Sequence, residues 1–466
     1  MSGTGNRSVV TRRSGNGLID GVLVGAHWDD EIIHYSFSLS ANAYGDIDHP
    51  FEILNAAQEA AVHFALSAAQ GPAASAGFSF EGFTAQAVNF LGRTDEGNAH
   101  IRYGIDPELD GGRVSDFPGD IVGTGEADDG DVWFGGQLSW AGSETYAQAG
   151  NAHWHIALHE TGHALGLKHG HQDYNGFDAL PFNQDSYEFT VMTYRTFVGS
   201  SPHTLRHWQE VGDVDFPQTF MILDIAALQY MYGANFTINA DDTVYSWSPE
   251  SGDTFVNGEV GIDAAGHVIF ATLWDGGGFD TYDLSAYSDD LIIDLTPGSG
   301  SIFSADQLSH LGQDNFASAN IYNAWQYQGD ARSLIEMAIG GDGHDHFTGN
   351  DADNVFYGGR GDDVFDGGGG ADNRVTYDGA REAYTILRHD DGSLTVSHDI
   401  WGTDTLINID HIIFSKTEAW LDVDDILSEV SEPVISRKID VTGLSAEGFE
   451  ESHEYDDAAP IDDFYM

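Results

Sequence analysis

The 466-residue chain contains no cysteine. Disulfides are therefore excluded, and so is any latency device that parks a thiolate on a metal. Positive charge is scarce: 17 Lys and Arg stand against 76 Asp and Glu, a formal net charge of −59. Three of the basic residues are lysines, Lys168, Lys416 and Lys438. Such a chain repels phosphate backbones and anionic bilayers, so nucleic-acid binding is excluded. It suits cations instead, and calcium, a hard ion that takes carboxylate oxygens, is the first candidate. An acidic surface made for solubility or high salt is the competing explanation. No run of 18 apolar residues is present, so no membrane insertion is expected. The opening stretch, MSGTGNRSVVTRRSGNG, lacks the apolar core of an ordinary secretory signal peptide.

With 41% apolar residues, the chain is able to bury a core, and its length predicts two or three domains. Residues 1–16, rich in Gly, Ser and Arg, read as a disordered segment or a removable pro-segment. Residues 17–235 have the texture of an α+β domain. Helical spacing runs through Phe51–Ala69, through the stretch from Tyr146 to Leu167, and through Thr219–Asn235, with Gly233 as a C-cap. Strands are expected in FTAQAVNFLGR, in AHIRYGI and after the acidic loop EADDGD. Beyond Asn235 helical periodicity stops, and residues 236–430 read as short strands punctuated by Gly and Asp. Residues 431–466 form an acidic tail that ends DDFYM.

The stretch LHETGHALGLKHG carries the chemistry. His159 and His163 are four apart, so a helix stacks them on one face. Gly166 tolerates the left-handed turn that brings His169 back as a third ligand. Three nitrogens leave an open position, the mark of a catalytic zinc site. Glu160, beside His159, is placed to take a proton from a zinc-bound water. His153, His155 and His171 lie near, but only His159 is followed by a carboxylate; exposed or hydrogen-bonded roles are expected for them. Downstream, VMTY places Met192 where the metzincin pattern has its Met-turn, an apolar floor beneath the zinc histidines.

A nine-residue repeat occupies residues 340–375: GGDGHDHFT, GNDADNVFY, GGRGDDVFD and GGGGADNRV. It fits G-G-x-G-x-D-x-U-x, in which a glycine turn exposes carbonyls, the sixth residue supplies a carboxylate and the apolar eighth points inward. Successive turns would stack into a parallel β-roll with calcium between them. Position six falls on Asp345, Asn354, Asp363 and Asp372; position eight falls on Phe347, Phe356, Phe365 and Arg374. Arg374 breaks the rule, so the fourth repeat is expected to end the roll. The expected calcium ligands here are Gly341, Gly343, Asp345, Asn350, Ala352, Asn354, Gly358, Gly359, Arg360, Gly361, Asp363, Gly368, Gly370 and Asp372.

These motifs, together with DIAALQYMYGAN, TVYSW and LWDGGGFDTYDLSAYS, resemble the serralysin-like secreted metalloproteases over residues 20 to 430. The resemblance implies an α+β metzincin-type zinc protease domain followed by an all-β parallel β-roll (RTX) domain. It implies one catalytic zinc and several structural calcium ions. It gives Tyr194 the role of a further zinc ligand that swings away to steady the oxyanion. It adds calcium ligands at Glu336, at Asp275, Gly277, Gly278 and Asp280, and at Asn239, Asp241 and Thr243. It implies protein or peptide substrates and export to the extracellular space by a type I secretion apparatus that reads the C-terminal tail; for the oligomeric state, which the sequence does not give, a monomer is the default expectation. Two positions depart from the pattern: Thr161 stands where a bulky aliphatic residue is common, and Gly170 where proline often follows the third histidine. RVSDFPGDIVGTGEADDGD resembles the family poorly. The activity implied is endopeptidase hydrolysis; the alternative is an inactive calcium-binding surface or adhesion protein.

Overall fold

The computed structural model describes residues 7–44, 50–95, 99–119, 129–137, 146–202, 211–415 and 419–423. The molecule is largely β, and its long helices precede residue 235. Helix α1 (Ala56–Leu66) starts later than the apolar spacing predicts, because Asn55 and Gln58 form a capping box at its head. Helix α2 (Ala152–Leu165) likewise starts at a cap: the Asn151 side chain accepts from Trp154 N. Helix α3 (Ile222–Tyr232) ends at Gly233, whose φ is +77°.

A five-stranded sheet accompanies the helices. Its strands are β1 (Ile32–Phe37), β2 (Ala87–Arg93), β3 (Ile101–Asp110), β4 (Gly112–Val114) and β5 (Val132–Gln137). Their order is β2-β1-β3-β5-β4, with β1, β2, β3 and β5 parallel and the edge strand β4 antiparallel to β5. Helix α2 lies against β4 and β5. Tyr35, Tyr103, Phe134, Ile156 and Leu158 join the sheet and the helix in one buried core.

The expectation of disorder over residues 1–16 fails for the described part. Ser8–Val10 pairs antiparallel with Ala26–Trp28, Thr11 N donates to Gly25 O, and Arg7 pairs with Asp29. Two adjacent valines favour an extended strand, and the edge at Ala26–Trp28 offers unpaired backbone groups to it. Residues 424–466, with the expected secretion tail, lie outside the described residues.

Beyond α3 the chain winds between two parallel sheets. One holds β6 (Thr281–Asp283), β8 (Met337–Ile339), β10 (Val355–Tyr357), β12 (Arg374–Tyr377) and β14 (His411–Phe414). The other holds β7 (Ile292–Asp294), β9 (His346–Thr348), β11 (Val364–Asp366) and β13 (Gly402–Ile407). Each three-residue step places its central side chain inward. Tyr282, Ala338, Phe356, Val375 and Ile412 from one sheet meet Ile293, Phe347, Phe365 and Leu406 from the other, all buried. Phe347 and Phe365 stack at 4.8 Å. Burying each such ring contributes about 2–3 kcal/mol.

The winding does not end at Arg374. The fourth repeat carries one extra residue, so Val375 takes the inward position and Arg374 turns outward to Asp372. Burying an arginine inside this apolar stack would be far costlier than absorbing one residue in a glycine turn. After a hairpin (Thr385–Arg388 with Leu394–His398), β13 and β14 add another winding.

Candidate metal centre

Gly166 closes α2 with φ +106° and ψ 21°. A Cβ there would stand 2.4 Å from Ala26 O, so both the backbone angle and the space demand glycine. The turn returns the chain so that His163 Nδ1 donates to Leu167 O at 2.8 Å, and His169 faces the two helical histidines. The three Nε2 atoms converge: His163 to His169 is 3.0 Å and His169 to His159 is 3.2 Å. Each Nδ1 is tied outward, His159 to Val191 O at 2.8 Å and His169 to Gln172 Oε1 at 3.0 Å. Those acceptors place the protons on Nδ1 and leave three Nε2 lone pairs pointing at one another. Burial holds all three histidines well below the usual range, His159 at about 4. Three neutral imidazoles facing inward repel unless a cation sits among them, so this donor set fits a zinc ion with an open coordination position.

Glu160 is 2% exposed, and its Oε2 has no hydrogen-bond partner among the described residues. Burial pushes its carboxyl up to about 8. The wall behind it is the edge strand: a Cβ on Gly112 would lie 2.7 Å from Glu160 Cγ and 2.8 Å from Oε1. Met192 is fully buried beneath α2, and a Cβ on Gly162 would meet its Sδ at 2.5 Å. Asp224, in the first turn of α3, holds this loop. It accepts from Thr190 Oγ1 at 2.5 Å, Val191 N at 2.8 Å and Met221 N at 3.0 Å. Val191 is thus fixed between Asp224 and His159.

The Tyr194 ring lies 4.4 Å from His169 and 5.8 Å from His159, centroid to centroid. Burial, then the nearby Glu160 charge, raises its phenol. Its backbone N donates to His171 Nδ1 at 3.4 Å. His155 departs from expectation: it is buried, packs 4.7 Å from Tyr187 and 5.3 Å from Phe216, and neither ring nitrogen is hydrogen-bonded among the described residues. Thr161, at a departure from the resemblance, bonds Tyr103 Oη at 3.0 Å, which explains a hydroxyl there. The motif reading missed Gly112 and Asp224. Asp224 left one signal, a lone acid in the apolar run FMILDIAAL.

A second acidic cluster gathers where the winding begins. Asp275 accepts from Gly277 N at 2.7 Å and Tyr245 Oη at 2.6 Å. Asp280 accepts from Thr243 N at 2.8 Å, its Oδ2 is buried without a hydrogen-bond partner among the described residues, and its N donates to Glu336 Oε2 at 2.8 Å. Thr243 Oγ1 donates to Asp241 O, and Gly278 packs against the same carbonyl. Asn239 turns its amide to Tyr245 Oη at 2.9 Å. The expected residues from Asn239 to Glu336 are thus brought together. Burial raises Asp275, Asp280 and Glu336, the last to about 7.

Further along, the residue before each strand forms a ladder on each edge of the winding. On one edge Leu291 N donates to Asp345 Oδ1, Asp345 N to Asp363 Oδ1, and Asp363 N to Asp404 Oδ1, each at 2.9 Å. On the other, Asn354 N donates to Asn373 Oδ1 at 2.9 Å and Asn373 N to Asp410 Oδ2 at 2.8 Å. Asn373 therefore occupies the place expected of Asp372, which pairs instead with Arg374 and with His411 Nδ1 at 2.8 Å. The extra residue of the fourth repeat causes the shift. Asp404 and Asp410 went unread, although GTDTLI repeats the second half of the nonapeptide.

Residues 234–385 match the family model for the Peptidase M10 serralysin C terminal. The chain is 30% identical over 270 residues to the metallopeptidase AprA of Pseudomonas marginalis, 56% of this chain and 50% of that protein. It is 32% identical over 227 residues to a serralysin of Proteus mirabilis, 47% of this chain and 40% of that one. Serralysin G of Dickeya chrysanthemi is 33% identical over 236 residues, 47% of this chain and 42% of that protein. The chain spans about half the length, or less, of these curated relatives. In sequence the chain is similar to serralysins, and residues 234–385 match their C-terminal family model.

Proposed function

We propose that this chain is a secreted, zinc-dependent endopeptidase with a metzincin-type catalytic part and a calcium-stabilised β-roll. The observation that carries the reading is the convergence of three Nε2 atoms beside a buried glutamate. His159, His163 and His169 would hold the zinc, which when bound acts as a Lewis acid on water and on the scissile carbonyl. Glu160 takes the proton of the attacking water and returns it to the leaving amine; its unpartnered Oε2 is free for that transfer. Tyr194, stacked beside the ligand rings, supplies a hydroxyl to the developing oxyanion. Met192 and Asp224 hold the floor rigid. In the C-terminal part, Asp275, Asp280 and Glu336, and the ladder at Asp345 and Asp363, hold calcium, and the tail serves type I secretion. The names of the relatives, a metallopeptidase and serralysins, support the hydrolytic reading.

An inactive calcium-binding adhesion protein needs neither the glutamate nor the open histidine face. The test is Glu160→Gln with zinc counted by mass spectrometry and casein hydrolysis followed on the same sample. Zinc should stay near one per chain, while hydrolysis falls by about 10²–10⁴-fold. Undiminished hydrolysis would refute the role of Glu160. A wild-type chain that binds zinc and cleaves nothing would favour the adhesion reading.

A further inference from the structure

The two edges of the winding differ in chemistry. On the first, Asp345, Asp363 and Asp404 are all buried. Among the described residues none of them has a Lys or Arg partner, and no side chain donates to a carbonyl of the turns 340–344 or 358–362. The last step of that edge opens on a cavity lined by Asp363, Asp404 and Tyr377, whose buried hydroxyl stands beside the Asp404 carboxylate. The carboxylates of Asp363 and Asp404 thus line one cavity and, among the described residues, no Lys or Arg neutralises them.

On the second edge the corresponding positions are asparagines, equally buried. Asn354 Nδ2 donates to Ile335 O at 3.3 Å and Glu336 O at 3.2 Å. Asn350 Nδ2 donates to Ile335 O at 2.7 Å and Leu295 O at 3.2 Å. Asn373 Nδ2 donates to Gly369 O at 2.6 Å and Asn408 O at 3.2 Å. The NH₂ groups of Asn350 and Asn354 are thus committed to carbonyls just before β8 and just after β7, and that of Asn373 to one turn carbonyl, Gly369 O, and to Asn408 O. Nor are the amides free to flip. Asn354 Oδ1 accepts from Asn350 N, Asn373 Oδ1 from Asn354 N, and Asn350 Oδ1 from Ala352 N. A flip would set each NH₂ against a backbone N–H, donor against donor, with both groups buried. A carboxylate has no such constraint, since both its oxygens accept. Acids stand on this edge above the asparagines, at Asp280 and Glu336, and at its lower end, where Asp410 is half-buried.

We propose that calcium enters the Asp345–Asp363 and Asp363–Asp404 steps but not the Glu336–Asn354 and Asn354–Asn373 steps, where uncharged asparagines, with both amide ends committed to the backbone, replace the carboxylates. The roll is then calcium-dependent along one edge and self-sealed over two windings of the other. This rests on the calcium reading of the roll. It removes Asn350, Ala352, Asn354, Gly368, Gly370 and Asp372 from the expected ligands and adds Asp404.

The test counts calcium bound to the full chain by native mass spectrometry and calorimetric titration, with circular dichroism as the check on folding. Asn354→Asp should add at least one calcium per chain. An unchanged count in that variant would overturn the proposal, because the wild-type step would already be filled. Asn354→Ala gives the converse: the count should stay at the wild-type value, and a fall would overturn the proposal. Asp363→Asn should lose calcium, since it serves two steps, and a count equal to wild type would also overturn it. A wild-type chain that binds no calcium at millimolar concentration fails differently. That outcome sinks the calcium reading itself, and the proposal with it.

Discussion

A methyl group on residue 112 would press on Glu160, the residue proposed to transfer the proton. The backbone at Gly112 is not left-handed, so Gly112→Ala introduces no φ strain; its effect must come through Glu160 Cγ and Oε1, 2.7 and 2.8 Å from the added carbon. Displacing a catalytic group by about 1 Å costs about 10²-fold in rate. The expected outcome is a fall in kcat of that order with KM and zinc content unchanged, measured by steady-state peptide hydrolysis and metal analysis. Loss of zinc instead would mean that the edge strand supports the histidines and not the glutamate. The convergence of the histidines was legible in sequence because a helix stacks His159 and His163, four apart, and Gly166 permits the turn that returns His169. Gly112 was not, because it meets Glu160 only when an edge strand folds against a helix that begins 40 residues later.

At the scale of the element, the acidic edge makes the roll sensitive to pH. Burial first, and then neighbouring acids, push Asp345 to about 6, Asp363 to about 9 and Asp404 to about 7. The unfolded carboxyls titrate near 4. Between about pH 4 and pH 9, therefore, the folded edge binds more protons than the unfolded chain. Its stability without divalent cations must fall as pH rises through that window. Calcium needs the ionised carboxylates, so its stabilising effect should grow over the same range. Thermal unfolding in a calcium-selective chelator should show a lower Tm at pH 8.5 than at pH 5.5, and added calcium should raise Tm more at pH 8.5. Equal Tm values in the chelator would mean that the ladder carries no such penalty. The repeat period made this element legible, since inward phenylalanines recur in register with the acids. What the period hid was the one-residue insertion that hands position six to Asn373, and the half-repeats at Asp404 and Asp410. A hairpin interrupts the period before them, and only the burial of Val375 and Leu406 restores the register.

At the scale of the molecule, the histidine helix and the winding share a short buried segment. Gln218 N donates to Phe270 O at 2.8 Å, its Oε1 accepts from Phe270 N at 3.2 Å, and its Nε2 donates to Val268 O at 3.0 Å. Its own carbonyl accepts from Trp154 Nε1 of α2 at 2.9 Å. Thr219 Oγ1 bonds Thr272 in the same way, accepting from its N at 2.9 Å. Nothing in the composition around residue 218 marks it as a joint; the change of texture after Asn235 suggests a break later in the chain. The buried contacts instead tie the helical part of the chain, before residue 235, to the strands beyond it. A net charge of −59 adds self-repulsion that bound cations relieve, so loss of calcium should be felt at the zinc helix. Gln218→Ala removes the side-chain bonds and leaves Val268 O and Phe270 N buried without them, which costs about 1–3 kcal/mol. In calcium, the wild-type chain should unfold in one calorimetric transition, and Gln218→Ala should split it, with the zinc-bearing part melting apart from the roll. If the variant still melts in one step at a lower temperature, the coupling runs through the wider apolar core and Gln218 contributes only its own bonds.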